Sequence, residues 1–247
     1  MRHYQLSRLD SVSLILIAHN EASSIQQETT SLSREIVSRI PGSEFIVAED
    51  GSTDGTTQIL KRLVRQLGIV HLSSERRRGY RNALLDAVSS AKNEYIFFCD
   101  SGLKYDARDF WKLYDERYKY DLIVGRRTNR QDQAYRRFLT YSYNLILRIF
   151  FSLKDVHDAD CGFRLFNRNV VDNVFKKRLE FQHLIGSEVV IRANFARLRY
   201  HEVPVGYFRR IGVSRGLPPK KIPRVIVEVL KSIRSLRGEL HSRASKR

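Results

Sequence analysis

The chain is short of cysteine, of proline and of long apolar runs, and each shortage narrows what it can be. Its two cysteines, Cys99 and Cys161, cannot build a disulfide framework, which points to a reducing compartment. No run of about 18 apolar residues occurs, which excludes an ordinary membrane-spanning helix. Residues Met1 to Asp10 lack the apolar middle of a secretory signal. Five prolines and no repetitive tract, set beside 11% aromatic residues, argue against intrinsic disorder. Acidic residues are also outnumbered, 27 against 44 Lys and Arg, leaving a formal charge of +17. Such an excess suits an anionic membrane, a phosphorylated substrate or nucleic acid. Neither an RNP sequence nor zinc-ligand spacing is present, so nucleic acid is not expected as a partner. Residues 218–247 hold nine Lys or Arg against Glu228 and Glu239, so +7 of the charge sits at the end of the sequence.

What is present is one good-sized domain's worth of chain, 247 residues with 42% hydrophobic content. Val12–Ala18 is apolar apart from Ser13, too short for a helix and suited to a strand buried on both faces. Helix-compatible spacing follows over Ala22–Ile40, then a Pro41-Gly42 turn and a strand over Glu44–Ala48. The alternation continues with a helix at 56–67, a strand at 69–72, a helix at 80–91, a strand at 95–99, a helix at 107–118 and a strand at 122–124. That pattern predicts an α/β fold, a mostly parallel sheet with helices on both faces. Further on, 135–153 reads as an aromatic, arginine-bearing helix suited to a core or a membrane interface. A strand at 160–166, a helix at 187–196 and a strand at 199–205 come next. Ile222 to Leu236 has the stripe of an amphipathic helix with a basic opposite face.

In a parallel α/β sheet, ligands gather beyond the carboxyl ends of the strands. Three polar clusters fall there: His19-Asn20-Glu21, Glu49 to Gly55, and Asp100-Ser101-Gly102. Singly, such residues are ordinary turn and cap formers. Together, at one sheet edge, they point to one site.

Seven segments, in order, carry a family resemblance: LILIAHNE (14–21), EDGSTDGT (49–56), RRGYRNALLDA (77–87), YIFFCDSGLKYDARDFWKL (95–113), VGRR (124–127), DADCGFRLFNR (158–168) and EVPVGYFRRIGVSRG (202–216). The chain resembles the family 2 glycosyltransferases of the GT-A fold, in the branch similar to dolichyl-phosphate mannose synthase and bacterial polyprenyl-phosphate glycosyltransferases. The resemblance implies that residues 1–216 form the GT-A domain and 217–247 a basic amphipathic helix and tail. It implies donor contacts from His19, Glu21, Glu49, Asp50 and Arg78, with Asp100 as the first acid of an Asp-x-Asp signature that places magnesium or manganese on the sugar-nucleotide diphosphate. It also implies phosphate or acceptor contacts from Arg127, Arg164, Arg209 and Arg215. Two positions depart from the family pattern: the second acid is Gly102, and Lys104 stands where a glutamine is expected. One carboxylate makes a thin site for a hard cation. Either Asp158 or Asp160 completes it, or the Lys104 ammonium takes over part of the charge neutralisation. Cys161 is expected to be a small buried hydrophobe.

The implied reaction moves a sugar from a nucleoside diphosphate to a polyprenyl phosphate with inversion, peripherally on the cytoplasmic face of an anionic membrane. A phosphate monoester, with a second pKa of about 6, arrives largely ionised and needs no general base. Two rival readings stand beside it. In one, the acceptor is a saccharide or protein hydroxyl and Asp158 or Asp160 serves as base. In the other, a degenerate, non-enzymatic GT-A domain binds membrane or nucleic acid.

Overall fold

The apolar run at the start of the sequence becomes strand β1 (Val12–Ala18), all seven residues of which are buried. In the computed structural model, which describes residues 10–130, 134–181, 183–209 and 222–244, the chain divides into two compact units, one ending at Gly102 and one starting at Leu103.

The first unit repeats strand and helix. β1 leads to helix α1 (Ile25–Leu32), then β2 (Glu44–Asp50), α2 (Thr56–Leu67), β3 (Val70–Ser74), α3 (Tyr80–Ser90) and β4 (Tyr95–Asp100). The strands lie in the order β3-β2-β1-β4, and every neighbouring pair is parallel. The central strands read as unbroken apolar runs because both of their faces are covered. β3, at the edge, is short and only partly buried, which limits unwanted pairing. Helix α1 is shorter than its spacing suggested. The Glu21 carbonyl accepts from both Ser24 and Ile25 N–H, so residues 21–24 form a turn. At its far end the chain widens into a π turn (Ser33–Val37), which keeps Ile36 and Ile40 buried. Helix α2 stops where expected: Gly68 takes the left-handed conformation (φ 65°) and its N–H caps the Val64 carbonyl.

The second unit opens with a 3₁₀ turn (Ala107–Asp109) and a short helix α4 (Phe110–Tyr114) in place of one helix over 107–118, because Asp106 caps Arg108 N–H and starts a tighter turn. β5 (Leu122–Thr128) pairs antiparallel with β6 (Phe163–Asn167) and parallel with β7 (Tyr200–Gly206), in the order β6-β5-β7. Helices α5 (Ala134–Phe151), α6 (Arg168–Val170, running into a π turn), α7 (Ile185–Phe195) and α8 (Ile222–Ala244) complete it. The strand expected from Asp160 begins at Phe163, since residues 158–161 turn back with Cys161 N–H on the Asp158 carbonyl.

α7 is buried from Ile185 to Ala193, including Glu188 and Arg192. Val229, Ile233, Leu236 and Leu240 of α8 are buried too, so this basic helix is part of the second unit's core. The stripe expected on α8 is only half used: Ile226 and Leu230 remain exposed, beside Val227. α5 likewise shows Phe138, Tyr141, Leu145 and Ile149 to solvent on one helical face, with Asn144, Leu147 and Phe151 buried. No helix among the described residues is long and apolar enough to cross a membrane.

Candidate active site

In the first unit, hydrogen bonds join the loops beyond β1, β2 and β4 and the loop before α3. Asn20, in the left-handed region (φ 54°), donates its N–H to Ser52 Oγ at 2.9 Å and accepts the Thr53 N–H on Oδ1 at 2.6 Å. His19 Nδ1 lies 2.7 Å from the Asp50 carbonyl. Buried Glu21 accepts from Ser101 Oγ at 2.9 Å and from Ser24 Oγ at 3.2 Å. Glu28, from α1, accepts the Gly102 N–H at 2.8 Å. Asp100 Oδ1 accepts the Tyr80 hydroxyl at 2.9 Å. Glu21, Asp50 and Asp100 are therefore drawn to one edge of this unit.

The two acids that end β2 both accept hydrogen bonds from the protein. Asp50 accepts the N–H groups of Arg78 at 2.6 Å and Gly79 at 2.9 Å, fixing the arginine-rich loop before α3. The Arg78 side chain itself pairs with Asp86 and donates to Ser74 Oγ. Gly51 lies beneath that loop: a Cβ there would stand 2.5 Å from Arg77 N and 2.6 Å from the Arg76 carbonyl carbon, and φ is +62°. No other residue fits without moving the loop.

Glu49 accepts from Ser52 N–H, from Ser73 Oγ at 2.9 Å and from Thr57 Oγ1 at 3.1 Å. Burial alone would raise its pKa, but these donors outweigh it and hold the carboxyl below its ordinary 4.5. A depressed folded-state pKa gives stability that is present above the ordinary value and lost as pH falls through the folded one. Asp54, held by Thr56 and the Ala22 N–H, shifts in the same direction. We expect Glu49→Gln to lower the melting temperature at neutral pH and to flatten its decline below about pH 5. An acid limb as steep as the parent's, in thermal melts across pH, would count against this.

In the second unit, Arg127 at the end of β5 meets Asp158 in a two-point ion pair, Nε to Oδ2 at 2.7 Å and Nη2 to Oδ1 at 2.6 Å, and its N–H also donates to Oδ2 at 3.0 Å. Burial works to lower the guanidinium's pKa, and the bonds and charge of Asp158 more than reverse it. The Tyr207 ring lies 5.3 Å from the guanidinium carbon. Lys104, half-buried, is tied through its carbonyl to the Phe208 N–H at 2.8 Å, with exposed Arg209 next in sequence. Tyr105 packs on Phe163 and Tyr207. Cys161 is fully buried beside it, its thiol pushed up to about 12 by burial, as a small core residue.

Arg164 is buried, donating to the carbonyls of Cys161 and of Gly186 (2.9 Å), so its guanidinium holds the turn before β6 to the start of α7. Asp160 is half-buried, and Arg215 lies outside the described residues. No group of three or more His, Cys, Asp or Glu able to hold a metal occurs among the described residues. Asp100 offers the one acid of its motif, and Asp158 is engaged by Arg127. This fits a cation that uses one carboxylate and takes its other oxygens from a bound diphosphate, the usual pattern for magnesium. The sequence pattern gives no role to Glu28, Tyr80 or Glu202, and it marks Ser101 only as part of the cluster after β4. Their partners lie 20 to 80 residues away, and no local motif marks such pairs.

Residues 13–175 match the model for glycosyl transferase family 2. The chain is 31% identical over 206 residues to glycosyltransferase AglD of Haloferax volcanii, covering 79% of this chain and 33% of that protein. It is 23% identical to the dolichyl-phosphate beta-glucosyltransferase of Saccharomyces cerevisiae, over 70% of this chain and 59% of the relative. It is 26% identical to the dodecaprenyl-phosphate galacturonate synthase of Rhizobium johnstonii, over 66% and 49%. The chain thus spans one third to about three fifths of these relatives' length. Among solved structures it is similar to glucosyl-3-phosphoglycerate synthase from Mycobacterium tuberculosis in complex with phosphoglyceric acid, with a TM-score of 0.67 at 20% identity, covering 91% of this chain and 80% of that one. The same enzyme in complex with manganese, UDP and glucosyl-3-phosphoglycerate gives 0.64 over the same shares. The alternating strands and helices, the acidic loops at the strand ends and the family match agree: the chain belongs to glycosyl transferase family 2 and has the GT-A fold.

Proposed function

We propose that the protein transfers a sugar from a nucleoside diphosphate to the phosphate of a polyprenyl lipid at a membrane surface. The observation that carries this reading is the engagement of Asp158. Both of its oxygens accept from Arg127, so it is poorly placed to take a proton from a hydroxyl acceptor. An ionised phosphate makes no such demand. Two of the relatives named above carry polyprenyl phosphate acceptors in their names, which supports the same choice.

In this reading the loops of His19, Glu21, Asp50 and Arg78 hold the nucleoside end of the donor. Their carboxylates mostly act through the backbone they fix, as Asp50 does on Arg78 and Gly79. The lipid phosphate oxygen attacks the anomeric carbon as the bond to the diphosphate breaks, and the electron pair leaves with the diphosphate oxygen. Asp100 and the diphosphate would hold magnesium or manganese, which when bound supplies positive charge to the leaving group. In the second unit, Arg127, whose Nη1 is not used by Asp158, and Lys104 are the cations assigned to phosphate charge in this reading. Arg209 and Arg215 attract the acceptor phosphate.

The exposed stripe Phe138, Tyr141, Leu145 and Ile149, with Arg137 on the same helix, supports contact with an anionic leaflet. Ile226, Val227 and Leu230 on α8 add apolar surface, and each nearby Lys or Arg adds roughly 1 kcal/mol near such a surface. We expect the protein to float with anionic vesicles at physiological salt, and a variant with Phe138→Glu and Ile149→Glu to stay in solution. Equal flotation of the two would remove α5 from the contact. The function itself is tested with an acceptor panel of polyprenyl phosphate, phosphoglyceric acid and free saccharides, using several nucleotide sugars. Polyprenyl phosphate is expected to give the highest kcat/KM, and preference for a hydroxyl acceptor would overturn the reading.

A further inference from the structure

Arg127 owes its aim to Asp158, and Asp158 sits on a turn that needs its own support. That support comes from β7. Glu202 Oε1 accepts the N–H groups of His157 at 2.8 Å and Asp158 at 2.7 Å, and Oε2 lies 3.2 Å from His157 Nδ1. Every hydrogen bond that the Glu202 carboxylate makes among the described residues is therefore to this one turn. The Glu202 side chain is only 6% exposed, while that of His157 is 50% exposed. Burying a carboxylate is costly, and burial raises the Glu202 pKa despite its donors. Three contacts from one buried side chain to one turn call for an explanation.

The register supplies one. Glu202 on β7 is paired with Val124 on β5, and three positions further along the same pair of strands Val205 is paired with Arg127. One two-strand ladder thus carries both the arginine and the residue that fixes the turn gripping it.

We propose that Glu202 is a positioning residue for Arg127: it fixes the backbone of residues 157 and 158, so that Asp158 meets the guanidinium at two points and leaves its Nη1 edge for a phosphate group. The role assigned to that edge rests on the transfer reaction proposed above. The placement of the guanidinium does not.

The test uses the full chain and five variants: Glu202→Ala, Glu202→Gln, Glu202→Asp, Arg127→Ala and the double variant Glu202→Ala with Arg127→Ala. Misplacement of a reacting group by about 1 Å costs up to roughly 100-fold, so Glu202→Ala is expected to lower kcat by about 10- to 100-fold while KM for the nucleotide sugar changes little. Glu202→Gln keeps an oxygen for both N–H groups and should retain most activity. Glu202→Asp keeps the charge but loses the reach, so it should lower kcat to a similar degree, and it takes the place of the alanine variant if the latter does not fold. On the Arg127→Ala background the loss of Glu202 should cost little more. Losses that multiply in the double variant, or an aspartate variant as active as the parent, would overturn the proposal. The Arg127 Nε–H resonance in ligand-free protein gives a readout independent of transfer. It should move or broaden in Glu202→Ala and stay in Glu202→Gln, and an unchanged signal in the alanine variant would also overturn it. If the parent transfers nothing to polyprenyl phosphate, the proposed function fails while this resonance still decides the role of Glu202.

Discussion

Asp100→Asn is expected to lower sugar transfer by about 10²- to 10³-fold, the usual cost of removing one charge stabiliser from a reacting site, while leaving the fold intact. The residue ends β4 and gives Oδ1 to the Tyr80 hydroxyl at 2.9 Å. The amide keeps an oxygen for that bond, so the loop geometry survives and the negative charge alone is removed. Gly102 has no side chain with which to replace it, and Glu21 and Glu28 are already bonded to Ser101 and Gly102. The nucleoside end of the donor should still bind, because its loops are held by Asp50, Glu49 and Asn20. The stabilisation given by nucleotide alone should therefore persist in thermal melts, and the further gain on adding magnesium or manganese should vanish. Tyr80→Phe, which spares the carboxylate, should have a far smaller effect. A fully active Asp100→Asn enzyme would shift the charge neutralisation to Lys104 and Arg127.

Arg192→Met should be the most damaging single change to stability. Arg192 lies on α7, buried, with Nε on Glu188 at 2.7 Å and Nη1 and Nη2 on Glu239 of α8 at 3.1 and 2.9 Å. Burial works against its charge, but the two carboxylates raise its pKa. Glu188 is wholly buried and also accepts the N–H groups of Glu180 and Phe181. Methionine has similar bulk, so what is lost is mainly the partner of a buried anion, at a cost of about 3–5 kcal/mol. For a chain of this size that corresponds to a fall in melting temperature on the order of 10 °C. Glu239→Gln, whose carboxylate is a quarter exposed, should cost less than half as much. Calorimetry on the three proteins decides the order, and equal losses would mean that the α8 contact, rather than the buried Glu188, sets the cost.

The strands were legible because a strand buried on both faces leaves an apolar run that little else produces, as in Val12–Ala18. The acidic loops were legible because they fall where such strands end. Helix limits were not: the Glu21 carbonyl turn delays the start of α1, and the Asp106 cap opens the next segment as a 3₁₀ turn where apolar spacing suggests one continuous helix. Roles inside the loops were also hidden. The resemblance implies donor contacts from Glu49 and Asp50, and it gives no sign of the bonds their oxygens accept within the protein from Ser52, Ser73, Thr57, Arg78 and Gly79. Arg164 was expected near a phosphate, and it bonds backbone carbonyls. In each case the deciding partner is set by tertiary packing, which residue type alone does not encode. The Arg127–Asp158 pair spans 31 residues and could be inferred only as two separate candidates.

The central claim is that the acceptor is itself a phosphate, and the product reports on that directly. The lipid extract from a reaction of nucleotide sugar with polyprenyl phosphate should show, by mass spectrometry and phosphorus NMR, a sugar joined to the lipid through a phosphodiester, with its anomeric configuration inverted from the donor. Donor consumed while the lipid is recovered entirely as its phosphate monoester would contradict the account.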